Sequence, residues 1–96
     1  MDEQLKGKQM PKTFDNELKG LVESLLRMIE ASHGVKIVNL AGISGIIFQN
    51  IDNRNAALNV CSAINTWITI NKIQGMVTIP ENLVIKYINA IGSSWD

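Results

Sequence analysis

The chain is short of most residues from which reaction chemistry is usually built. Its 96 residues include one cysteine, one histidine, two prolines and one tyrosine. A single Cys61 excludes an internal disulfide framework, and with only His33 beside it no clustered zinc-ligand spacing can form. One histidine also excludes a metal cluster or catalytic pair built from imidazoles. Nine basic residues balance nine acidic ones, so the basic excess of a general nucleic-acid binder is missing. The same balance argues against a polybasic grip on anionic membranes. Unbroken apolar runs are only a few residues long, far short of the ~20 that a membrane-spanning helix needs. Met1-Asp2-Glu3 begins the chain with no apolar stretch behind it, so no signal peptide is read there. These absences predict a soluble cytoplasmic protein that is not an enzyme and holds no metal or cofactor.

What is present is unevenly spread. Eleven charged residues fall in the first 30 positions and seven in the remaining 66. The later part is built from Ile, Val, Leu, Ala and Asn, with glycines at the breaks. A stretch so poor in charge stays in solution by burying apolar surface in one core. A chain of this length forms one domain and buries roughly 60–65% of its unfolded surface.

Residues 1–12 are polar and without period, which predicts a flexible lead-in to a single helical domain over 13–96. Leu18, Leu21, Val22, Leu25, Leu26 and Ile29 form a helical stripe. Thr13 or Asp15 is expected to cap its start, and Gly34 its end. Val35–Lys36–Ile37 fits a strand or a helix. A short helix ending in an apolar loop is preferred, because no second convincing strand is present to pair with it. Asp52 or Asn53 opens a further helix with Ala57, Val60, Cys61, Ile64 and Ile68 on one face. The β-branched run after Trp67 favours an early exit. Thr78 and Glu81 have capping-box spacing, Val84, Tyr87, Ile88 and Ile91 form the last stripe, and Gly92 is expected to end it. The fold class is therefore all-α, a small single-domain bundle of four or more helices without internal repeats.

Gly34-Val35-Lys36-Ile37-Val38-Asn39-Leu40 followed by Ile43-Ser44-Gly45 resembles a "G-V-K-L-x-x-L … I-S-G" pattern. The run from Phe48 to Cys61 is similar to an "F-x-x-(I/M)-(E/D)-N" helix start, and Asn82 to Ile91 to a last long helix. Together these resemble the calponin homology domains over about Gly34–Ser93. The resemblance implies that the "G-V-K" segment lies in a central buried helix. It also implies a protein-binding module of an actin, microtubule or signalling-scaffold assembly, with actin filaments among the partners expected. Neither nucleic acid nor membrane is expected as a partner.

The candidate contact residues are Lys8, Lys12, Lys19, Arg27 and Trp95. Lys6, Lys8 and Lys12, with Lys19, form the only basic concentration, and Trp95 follows Gly92-Ser93-Ser94 with no helix of its own. His33 reads as a cation at a helix end, and Cys61 as a small buried hydrophobe. Glu30 and the other acids of the first helix read as a solvated face, and most asparagines as water-facing. A second expectation is a self-associating helical regulator or inhibitor of viral or mobile-element origin. Its sign would be a homo-oligomer formed through the charge-poor part.

Overall fold

In a computed structural model, residues 6–71 and 74–95 are described, with side-chain surroundings described for 16–71 and 74–91. Helix α1 spans Lys6–His33. Leu18, Val22, Leu26 and Ile29 are its buried stripe, while Leu21 and Leu25 are only half-buried against the same core. Helix therefore reaches back into the segment expected to be a flexible lead-in, and Thr13 and Asp15 lie inside α1 rather than at its start. Pro11 is tolerated six positions in, at the loss of one backbone bond to the Gly7 carbonyl. The first five residues lie outside the described ones.

Gly34 ends α1 at φ +68°, the left-handed conformation that lets the chain reverse without a Cβ clash. Beyond it the expected helix is a strand. Strand β1 (Val35–Ile37) pairs in parallel with β2 (Gly75–Val77), in the register Val35 to Gly75 and Ile37 to Val77. The pairing continues where Val38 N–H donates to the Val77 carbonyl at 2.8 Å. The partner strand was invisible locally because it lies about 40 residues on, behind two helices. The "G-V-K" segment is thus turn and strand, and helix α2 starts only at Leu40, running to Asn50.

Helix α3 (Arg54–Asn71) opens as expected at Asn53, whose Oδ1 accepts the Ala56 N–H at 2.8 Å. Such a cap contributes about 1 kcal/mol. Ala57, Val60, Cys61, Ile64 and Ile68 are all buried. The helix does not leave early, because burial of Ile68 and half-burial of Trp67 outweigh β-branched propensity. Helix α4 spans Glu81–Trp95, with Val84 and Ile88 buried and Tyr87 and Ile91 half-buried. Gly92 does not end it, so Trp95 does have a helix, as the last residue of α4. No Thr78 capping box forms. Asn39 holds both backbone groups of Ile79, which keeps the chain extended up to Pro80, and the Pro80 carbonyl receives Leu83 and Val84 N–H groups.

The fold is all-α in class, with four helices and one small sheet among the described residues. Although the sequence shows no repeat, the element order is twofold: helix–strand–helix, then helix–strand–helix. Helices α1 and α4 each pack against α2 and α3, which places them at opposite corners of the bundle. No helix among the described residues is long and apolar enough to cross a membrane.

Candidate functional site

The expected contact residues belong to two helices, α1 and α4. Lys19 and Arg27 are both exposed on α1. Eight residues apart, they are separated by about 12 Å along the axis and turned by about 80°. Lys8 and Lys12 belong to the first turns of α1 and Trp95 to the last turn of α4, and the side-chain surroundings of all three lie outside those described. Since α4 packs mainly against α2 and α3, the five residues are divided between helices that are not neighbours.

His33 does more than sit at a helix end. Its Nε2 lies 2.6 Å from Asn65 Oδ1, tying the end of α1 to α3. Because that oxygen can only accept, Nε2 carries the proton and the Asn65 amide keeps its NH₂ group as a free donor. Cys61 is buried as expected, and burial pushes its thiol up to about 12. It stays a neutral thiol at physiological pH and is a poor nucleophile. Burial also raises the Tyr87 hydroxyl above its ordinary value. Among the described residues no group of three or more His, Cys, Asp or Glu could hold a metal ion.

A groove of about 310 Å³ runs between α1 and α3. One wall is Leu25, Met28, Ile29 and Ser32; the other is Leu58, Cys61, Ser62 and Asn65. Each wall repeats at steps of three and four, which puts it on a single helical face. No charged side chain lines it. Ile29 and Cys61 are buried, whereas Met28 is 63% exposed and Leu58 42%. Of the lining residues only Leu25, Ile29 and Cys61 belong to the apolar stripes legible in the sequence, which carry no sign of a groove.

Three polar groups carry roles that sequence reasoning missed. Asn39 Nδ2 donates to the Ile79 carbonyl at 2.8 Å, and its Oδ1 accepts the Ile79 N–H at 3.2 Å. Glu30 is not a solvated acid: its Oε2 accepts the Ile37 N–H at 2.7 Å, closing the outer edge of β1. Ser44, 1% exposed, has a hydroxyl without a hydrogen-bond partner. Most asparagines are exposed as expected, and two of them also bond back to their own helix. Asn50 and Asn71 donate to the carbonyls of Ile46 and Trp67, four residues back in α2 and α3. Only the helix-terminal position of each Asn hinted at this. Compared with known proteins, the chain matches no family model, no curated protein and no solved structure.

Proposed function

We propose that this chain is a non-catalytic protein–protein interaction module of the cytoplasm, presenting α1 to a cytoskeletal or signalling-scaffold partner. The observation that supports this reading is the outer face of α1. Glu17, Lys19, Gly20, Ser24 and Arg27 are all exposed along it, a helical surface that the bundle does not cover. Its mechanism is surface complementarity, with Lys19 and Arg27 the charged contacts. The neutral buried thiol of Cys61 and the hydrogen-bonded imidazole of His33 favour a binding role over a catalytic one.

Actin filaments are the partner to test first, on the strength of the calponin homology resemblance. Co-sedimentation with filamentous actin is expected to show saturable pelleting that weakens as salt rises. Replacing both Lys19 and Arg27 by Glu should abolish it. No pelleting at tens of micromolar protein would remove actin as the partner. Pelleting unchanged in the double variant would remove α1 as the contact.

A further inference from the structure

We propose that two copies of this chain pair face to face through the α1–α3 groove, about a twofold axis, as a weak dimer. This goes beyond the filament or scaffold reading and uses a different face of α1.

The apolar arc of α1 is wider than the core consumes. Leu18, Val22, Leu26 and Ile29 are buried, yet Leu21, Leu25 and Met28 form a second stripe beside them that is left half-buried or exposed. With Ser32 this stripe advances by four, three and four residues. On α3, Asn55, Leu58, Ser62, Asn65 and Thr69 are all exposed and advance by three, four, three and four. That alternation is the spacing with which helices pack along a seam. None of these nine residues is charged, although the rest of the exposed face of α1 carries Glu17, Lys19 and Arg27.

Three properties of the patch point to a second copy as its occupant. A twofold contact needs projection and recess on the same surface. Here Met28 and Leu58 stand at the rims and Ile29 and Cys61 form the floor between them. A twofold operation also brings each group near its own copy, which is unfavourable for charges. Ser32, Ser62 and Asn65 avoid this, because hydroxyls and amides both donate and accept. Finally, the area fits. Two helices side by side are about 20 Å across, and a helix the length of α3 is about 27 Å long. That gives roughly 500 Å² per copy and about 1,000 Å² in all, the lower limit for a specific interface.

Sedimentation velocity on the full chain, from low micromolar to several hundred micromolar, tests the proposal. The sedimenting mass is expected to rise from one chain to two and stop there. Met28→Glu and Leu58→Glu, each at an exposed position, should separately weaken pairing at least about tenfold while helicity by circular dichroism is unchanged. Ile70→Glu is the control: Ile70 is 71% exposed on α3 but off the stripe, and its loss should leave the dimer intact. A monomer at every concentration overturns the proposal. So do growth beyond two copies, a dimer that survives both groove variants, and one abolished by Ile70→Glu. Because actin pelleting is read with Lys19 and Arg27, failure of one reading leaves the other standing.

Discussion

At Asn39 a side-chain amide takes the place that a further strand residue would occupy. It gives Ile79 one donor and one acceptor, prolonging the parallel ladder past Val77 while its own main chain turns into α2. Asn39→Ala would leave both part-buried groups of Ile79 without partners, so a loss of about 2 kcal/mol is expected in urea unfolding. Ser44 presents the opposite case. Its buried hydroxyl has no partner, and Ser44→Ala is expected to raise stability by up to about 1 kcal/mol. Cys61 sets an alkaline limit. Unfolded, its thiol ionises near the ordinary 9.0; folded, it keeps its proton until about 12. Above pH 9 the unfolded chain therefore binds fewer protons than the folded one, and stability falls with rising pH. The slope approaches about 1.4 kcal/mol per pH unit. Tyr87, also raised by burial, steepens the fall beyond its own ordinary value. Denaturation midpoints of Cys61→Val between pH 8 and pH 11 should show a shallower decline than those of the parent chain.

Glycines divide the elements into two kinds. Gly75 begins β2 at φ +80°, and a Cβ built there meets nothing within 4 Å. Gly75→Ala should therefore cost only the left-handed backbone term, about 1–2 kcal/mol, and Gly75→Asn less. Gly42 and Gly45 lie inside α2, also with open space around an added Cβ. Gly42→Ala is expected to stabilise by about 0.5–1 kcal/mol through helix propensity. Thermal unfolding of the two alanine variants should thus shift in opposite directions. The same elements show what the sequence could reveal. Stripes on α1, α3 and α4 were legible because burial writes a 3.6-residue period into the chain. Gly34 and Asn53 were legible because helix ends demand particular residues. Strand β1 was not, since three residues carry too little period and its partner is remote. The ends of α1 and α4 were missed for a related reason: Pro11, Thr13 and Gly92 look like punctuation, but helix continues through each. For the candidate site, residue types alone marked charge and aromatics. They could not show that α1 and α4 stand at opposite corners, or that two uncharged stripes would border one groove.

On the scale of the whole molecule, the two helix–strand–helix units are not two small domains. Within the first unit α1 meets α2, and within the second α3 meets α4. The remaining helix contacts, α1 with α3, α2 with α4 and α2 with α3, join one unit to the other, as does the sheet. Neither unit can close a core alone, since the buried face of α1 is completed by α3 and that of α4 by α2. Long-range pairing of this kind folds slowly compared with a bundle of successive hairpins.

The covalent link between the units is Ile51–Asn53, in which Asp52 is exposed and Ile51 buried. Cutting there would release two pieces that each carry one strand and half of a shared interior. Peptides 1–51 and 52–96 should be poorly helical when separate. Mixed in equal amounts, they should regain the circular dichroism spectrum of the intact chain. If either piece regained it alone, the interior would not be shared. Viewed this way, the three-residue sheet is a clasp, and the protein is a heterodimer that happens to be translated as one chain.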